Sequence, residues 1–232
     1  AYVDLTLRAL LRTTIAPWHY EIIVVDDGSV DGTAEYVRQE FGLQNVSCIR
    51  RTKNINKPNC PGLARNVGLR AARGRWVAFQ DCDVLHCHDI ITATLKQARE
   101  PASWHAWGTW IMERDYDCET TVGFEGARDA EMPGQMWWCA ERKLLMDIGG
   151  FDERFTDYGA EDEDIRARVL RCNLPKKYIT GQYAIGLYAS RGLAATGGVL
   201  SRETNAAQHK LWQADMTVVR NGGVAWGEPH DS

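Results

Sequence analysis

Glu21-Ile22-Ile23-Val24-Val25-Asp26-Asp27-Gly28-Ser29 is the stretch that decides the fold. Its unbroken apolar run from Ile22 to Val25 reads as a parallel strand buried on both faces. The run stops abruptly in Asp26-Asp27-Gly28-Ser29, a polar turn at the strand's carboxyl end. In open α/β sheets, ligands sit at that end. Downstream, Asp31 and Thr33 are placed to cap a helix that runs to Phe41 and stops at Gly42. Val46 to Ile49 is a second short strand. Pro61 and Gly62 open another helix, with Leu63, Val67 and Ala71 on one face, and Gly74 closes it. Trp76 to Phe79 is a third buried strand, followed at once by Asp81-Cys82-Asp83. This alternation predicts an α/β fold, a Rossmann-like and mostly parallel sheet flanked by helices, with both acidic clusters at strand carboxyl ends.

Before the deciding strand, Ala1 to Thr14 reads as an amphipathic helix with Val3, Leu7, Leu10 and Leu11 on one side. An α/β domain would place a strand ahead of such a helix, so the first strand is expected to be missing from the chain as written. The second half is less regular. Trp104 to Met112 reads as a strand, Asp115 to Pro133 as a polar loop, and Gln135 to Cys139 as a strand leading into a short helix through Met146. Gly149-Gly150-Phe151-Asp152-Glu153 is a turn. Glu161 to Arg171 is a helix with Ile165 and Val169 facing the core. Lys177 to Tyr188 suggests a strand or hairpin, and Ser201 to Val219 a terminal helix. No repeat or linker interrupts the chain, which reads as a single domain over 1–232.

The bulk numbers exclude several function classes. The 232 residues carry 27 Lys and Arg against 31 Asp and Glu, a net charge of −4. That balance argues against nucleic acid as the main partner, which would require a basic face. Mean hydropathy is −0.37. No run approaches the ~20 apolar residues of a membrane span. Membrane association would therefore depend on segments outside this sequence. The seven scattered cysteines suggest reduced thiols in a cytosolic setting rather than a disulfide framework. No Gly-x-Gly-x-x-Gly, P-loop or Gly-x-Ser-x-Gly signature appears, which weakens dehydrogenase, ATPase and hydrolase readings.

Three acidic clusters carry the candidate chemistry. Asp81 and Asp83, one residue apart beyond a buried strand, can point the same way and hold a hard divalent cation that keeps several waters and bridges phosphates. Taken alone, Asp-x-Asp is common and reads first as a polar strand-end turn; its position after the third strand is what favours the metal reading. Asp26 and Asp27 can accept from a base imide or a ribose hydroxyl, or simply form the turn. Glu161 and Asp162 open a helix, where acids suit the dipole, and Asp162–Arg166 and Asp164–Arg168 have i,i+4 spacing. A carboxylate there can also serve as a general base. Cys82, His86, Cys87 and His88 match no zinc spacing and read as a solvated loop. Trp137 and Trp138 would alternate across a strand, so at most one lines a cleft.

In order, Glu-Ile-Ile-Val-Val-Asp-Asp-Gly-Ser-x-Asp-Gly-Thr (21–33), Gly-Leu-Ala-Arg-Asn-x-Gly (62–68), Gly-Arg-Trp-Val-Ala-Phe-Gln-Asp-Cys-Asp (74–83), Gly-Gly-Phe-Asp-Glu-Arg-Phe (149–155) and Tyr-Gly-Ala-Glu-Asp-Glu-Asp-Ile (158–165) form a specific series. The chain resembles the family 2 glycosyltransferases of the GT-A fold. That resemblance implies inverting, Mn²⁺- or Mg²⁺-dependent transfer from a UDP-sugar to a glycan or other hydroxyl-bearing acceptor. It also implies a nucleotide-binding half (1–100) and an acceptor-binding half (101–232). By position, Asp26 and Asp27 would contact the uridine with Arg65 nearby, Asp81 the ribose or metal, and Asp83 the metal. Asp162 would be the base and Glu161 would position the acceptor. The 149–162 segment also resembles that of galactosyl- and N-acetylgalactosaminyl-transferases, which points to a hexose or N-acetylhexosamine donor. Many relatives carry a metal-binding His after the base helix. Here the later candidate is His209, on a probable helix surface. The competing expectations are a silent GT-A domain that only binds nucleotide-sugar or glycan, and a sugar nucleotidyltransferase.

Overall fold

The computed structural model describes residues 2–52, 60–112, 137–155, 159–188, 207, 210 and 217–229. In chain order its elements are α1 (Tyr2–Leu10), β1 (Ile22–Asp26), α2 (Thr33–Phe41), β2 (Val46–Arg50), α3 (Pro61–Ala71), β3 (Trp76–Phe79), β4 (Val84–His86), α4 (Ile90–Gln97), β5 (Ser103–Met112), β6 (Trp138–Glu141), α5 (Arg142–Asp147), α6 (Glu161–Arg171) and β7 (Lys176–Tyr188). The chain forms two compact units. One comprises Ala1–Ile15, Ala78–Ala140 and Pro175–Ala195, the other Ala16–Val77, Glu141–Leu174 and Thr196–Ser232.

In the second of these units, β1 and β2 pair in parallel from Ile22↔Val46 to Asp26↔Arg50. A two-stranded ladder encloses less than the wide parallel sheet expected, and Ile22–Val25 are half-buried. The expected capping of α2 is present: Asp31 Oδ1 accepts from Thr33 N at 3.1 Å and Thr33 Oγ1 at 2.7 Å. Gly68 on α3 lies so near β1 that an added Cβ would stand 3.4 Å from Val25. Leu63 and Val67 are buried as expected, whereas Ala71, the last residue of the helix, is exposed. α6 has the expected bounds, with Ile165 and Val169 fully enclosed.

The other unit holds most of a five-stranded sheet in the order β3-β6-β5-β7-β4. This sheet is mixed. β5 and β7 run parallel, while β5–β6 and β4–β7 are antiparallel. The 176–188 segment is one continuous strand rather than a hairpin. Two elements here were absent from the sequence reading. β4 takes the place of a loop, and α4 is disguised by β-branched Ile90, Ile91, Thr92 and Thr94. α4 is started by Asp89, which accepts from Thr92 N at 3.0 Å. The predicted loop at 115–133 and most of the predicted terminal helix lie outside the described residues; within that helix Ala207 and Lys210 are helical, whereas its end, at 217–219, is not. Trp137 and Trp138 are both buried, the first edge-on to His86 and the second against Phe79. Among the described residues no helix is long and apolar enough to cross a membrane.

Candidate active site

The Asp81-Cys82-Asp83 loop is the turn between β3 and β4, and several groups of its own unit shape it. Thr6 on α1 directs its hydroxyl to the main-chain oxygens of Cys82 at 2.7 Å and Val84 at 3.1 Å. Gln80 donates to Val84 O at 3.0 Å, which leaves its Oε1 to meet His86 Nε2 at 2.9 Å. His86 therefore carries its proton on Nε2. Complete burial pushes its pKa down to about 3, so the ring is neutral. This corrects the solvated-loop reading of Cys82–His88: His86 is a core residue behind the aspartate turn, and only Cys82 and His88 of the four are exposed. Burial, then the charge of Asp81, push the half-buried Asp83 carboxyl up to about 6. A carboxyl group made costly to ionise beside a second carboxylate suits a hard divalent cation with most of its shell left to water and phosphate oxygens. Among the described residues no group of three or more His, Cys, Asp or Glu forms a closed metal cage. His209 lies outside the described residues.

In the other unit, β1 delivers Asp26 into a buried position, 4% exposed. Its Oδ1 accepts from Ser29 N at 3.2 Å, while its Oδ2 has no hydrogen-bond partner among the described residues and Arg50 Nε stands 3.7 Å away. A buried carboxylate oxygen without a donor is costly and suits a ligand N–H or O–H. Asp27 is engaged differently. It forms an ion pair with Arg51, itself 1% exposed, whose main-chain N donates to Asp26 O at 2.8 Å. The sequence reading did not single out Arg51; the neighbouring β2 register brings it to the turn.

Glu161 and Asp162 open α6 after two residues in the left-handed region, Gly159 (φ 104°) and Ala160 (φ 68°). Both oxygens of Glu161 are used inside the protein, one by Gly159 N at 2.8 Å and one by Arg65 Nη1 at 3.2 Å. Arg65 Nη1 also donates to Asp162 Oδ1 at 2.8 Å. Asp162 is the more open of the pair, its side chain 17% exposed against 2% for Glu161. Of the predicted i,i+4 pairs, Asp164–Arg168 forms at 2.7 Å, whereas Arg166 donates to the main-chain oxygen of Asp162 at 3.0 Å.

The Gly149–Glu153 turn is the anchor beneath this helix. Arg168, fully buried, donates to Ile148 O at 3.0 Å and Gly150 O at 2.7 Å. Asp152 is fully buried between Arg154 at 2.6 Å and Arg220 at 3.2 Å. Asn221 donates to Gly149 O at 2.8 Å and Phe151 O at 2.7 Å. Gly149 is required here, since a Cβ at its φ of 78° would meet Arg220 O at 1.8 Å. Asn66 on α3 spans Phe151 N at 2.8 Å, Phe151 O at 2.9 Å and Glu153 Oε1 at 2.8 Å. Asn66→Ala would strand the buried Phe151 N–H and is expected to cost about 1–3 kcal/mol, measurable by urea unfolding.

The model of the family described as "Glycosyl transferase family 2" matches residues 1–119. The chain belongs to glycosyl transferase family 2. The match takes in the Asp26–Asp27 turn, Arg65 and the Asp81–Asp83 loop of this family 2 chain. Chondroitin synthase of Escherichia coli is 42% identical over 196 residues, covering 66% of this chain and 28% of the synthase. The chain spans half or less of the length of the curated relatives it matches. Among solved structures, the mannosyltransferase PcManGT from Pyrobaculum calidifontis, in complex with GDP-Man and Mn²⁺, superposes with a TM-score of 0.66 at 19% identity, over 92% of this chain and 60% of that one. S. aureus TarS 1–349 in complex with UDP-GlcNAc gives 0.58 at 21% identity, over 81% of this chain and 55% of that one. These likenesses establish the GT-A fold.

Proposed function

We propose that this family 2 chain is a single GT-A catalytic domain that moves a hexose or N-acetylhexosamine from a UDP-sugar to an acceptor hydroxyl, with inversion and with Mn²⁺ or Mg²⁺. The observation that carries the reading is the Asp81–Asp83 turn, whose mutual charge and burial hold Asp83 at about 6. Mn²⁺ in PcManGT and UDP-GlcNAc in TarS are consistent with it. Asp83, with Asp81, would hold the cation, which when bound neutralises charge on the leaving diphosphate. The open oxygen of Asp26 would accept from the uracil imide or the ribose, with Asp27 braced by Arg51 beside it. Asp162 would take the proton of the acceptor hydroxyl, and one displacement at the anomeric carbon inverts it. A cytosolic setting, a glycan acceptor and the division into nucleotide-binding (1–100) and acceptor-binding (101–232) halves belong to the same proposal.

The sign of the pH dependence follows from Asp83. Its raised pKa means that the folded protein takes up a proton as pH falls through about 6, ahead of an unfolded chain near 3.8. Its ionisation therefore weighs against the fold above that pH and is relieved below it, and a cation relieves it at neutral pH. Mn²⁺ is expected to raise Tm at pH 7.5, to lose this effect towards pH 5, and to have none on Asp83→Ala. A screen of UDP-glucose, UDP-GlcNAc and UDP-GalNAc should show Mn²⁺-dependent donor hydrolysis that Asp83→Ala abolishes. Intact donor binding without turnover in the wild type would instead support a silent domain.

A further inference from the structure

The resemblance implies that Arg65 lies near the uridine; in the structure its guanidinium meets Glu161 and Asp162. Its side chain is 13% exposed, and its guanidinium lies 5.5 Å from the centroid of the fully buried Phe151 ring. Phe151 is itself clamped under α3, where an added Cβ on Gly62 would come within 3.2 Å of it. The planar group is thus held from below by an aromatic face. Its Nη1 directs one N–H to Glu161 at 3.2 Å and the other to Asp162 at 2.8 Å. Glu161 is locked further by Gly159 N, at the left-handed step into α6. The first turn of α6 carries four carboxylates, Glu161 to Asp164. They repel one another, and the structure pairs them in different directions. Asp164 turns inward to Arg168, Glu163 lies 3.8 Å from Arg166, and Arg65 gathers the first two from α3.

We propose that Arg65 is a positioning residue that fixes the Asp162 carboxylate in direction and keeps it ionised for proton abstraction, rather than a nucleotide contact. The inference rests on the reading of Asp162 as the base. Among the described residues, the charged groups facing that carboxylate are Arg65 from α3 and Glu161 on its own helix, with Arg166 at its main-chain oxygen. Removing the guanidinium takes away the cation that stands 2.8 Å from Asp162 and leaves Glu161 beside it, so its proton affinity rises, commonly by about 1–3 pK units for a carboxylate losing an arginine. A lysine supplies a point charge without the planar fork or the stacking on Phe151.

The test compares wild type, Arg65→Met and Arg65→Lys in two measurements. The first is steady-state turnover with the UDP-sugar that wild type hydrolyses fastest in the screen above. Arg65→Met should lower kcat about 100-fold, at the scale of a misplaced general base. It should leave the donor KM within about threefold and move the acid limb of the kcat profile up by about one pH unit. Arg65→Lys, the variant to rely on should Arg65→Met fold poorly, should lower kcat by about tenfold with a smaller displacement of the limb. A rise of tenfold or more in donor KM with kcat and the limb unmoved would overturn the proposal, because that is the pattern of a lost nucleotide contact. The second measurement needs no turnover: NMR titration of the Asp162 carboxyl carbon, assigned through Asp162→Asn. Its midpoint should move up in both variants, and an unmoved midpoint would sink the inference even in an inactive protein. Inactivity of the wild type with a displaced midpoint would overturn the functional reading alone.

Discussion

Arg220→Met is expected to lower the stability of the fold by about 3 kcal/mol, the low end of the 3–5 kcal/mol typical for breaking a buried ion pair. The reason is the fate of Asp152. That carboxylate is fully buried, and Arg220, 3% exposed, is one of its two cations. Removal of Arg220 leaves a charge that cannot reach water. Arg154, half-exposed, remains at 2.6 Å, which places the expectation at the low end. Arg220 also reaches Asp164 at 4.0 Å, so the loss spreads to the acid that holds Arg168. For a chain of this size the Tm should fall by about 6–12 °C, taking 2–4 °C per kcal/mol. Distance alone does not predict this ordering. Arg75–Glu141 is a shorter pair at 2.6 Å, yet Arg75 is two-thirds exposed, and Arg75→Met should cost no more than about 1 kcal/mol. If burial is the cause, Asp152→Asn added to Arg220→Met should recover part of the loss, because the stranded charge is then gone. A double variant as unstable as the sum of the singles would refute that account.

The same cluster shows what the sequence made legible and what it withheld. The Ile22–Val25 run, the Thr33–Phe41 cap and the Glu161–Arg171 helix could be read because local chemistry decides them: an apolar run, an Asp–Thr cap and two core-facing positions four apart. The three acidic clusters could be found because each falls at a strand or helix end inside a recognisable motif. Partners across long sequence gaps left no such trace. Asp152 and Arg220 are 68 residues apart. Nothing in Arg-Asn-Gly-Gly announces that Asn221 binds the carbonyls of Gly149 and Phe151. The Gly-Gly-Phe-Asp-Glu turn was legible as a turn, but its reason, the close pass of the Arg220 backbone over Gly149, was not. α4 escaped because β-branched residues weaken a helical signal, and its cap, Asp89, directly follows the Cys82–His88 run that reads as a loop. His86 escaped because burial in a mixed sheet is a tertiary property. Arg65 was legible as a candidate through its motif, while its partners depended on how α3 meets α6.

Asp162→Asn is expected to reduce kcat by about 10²–10⁴-fold with donor affinity retained, the range for removing a general base. The choice of Asp162 over Glu161 rests on where their oxygens go. Glu161 is 2% exposed and spends one oxygen on Gly159 N and the other on Arg65. A base must reach its proton within hydrogen-bond distance, and a carboxylate already saturated inside the fold is poorly placed for that. Asp162, at 17% exposure, is held by Arg65 through Oδ1 and is open enough for a substrate hydroxyl to approach. The two substitutions should therefore separate by kind of effect. Asp162→Asn preserves shape, keeps one acceptor for Arg65 and should leave Tm within a few degrees. Glu161→Gln turns an acceptor oxygen into a donor facing either Gly159 N or Arg65, and should cost about 1–3 kcal/mol of stability. Its kcat should fall less than that of Asp162→Asn. Reversal of that order, with Glu161→Gln stable but inactive and Asp162→Asn active, would move the base to Glu161 and require its carboxylate to leave Gly159 when an acceptor binds.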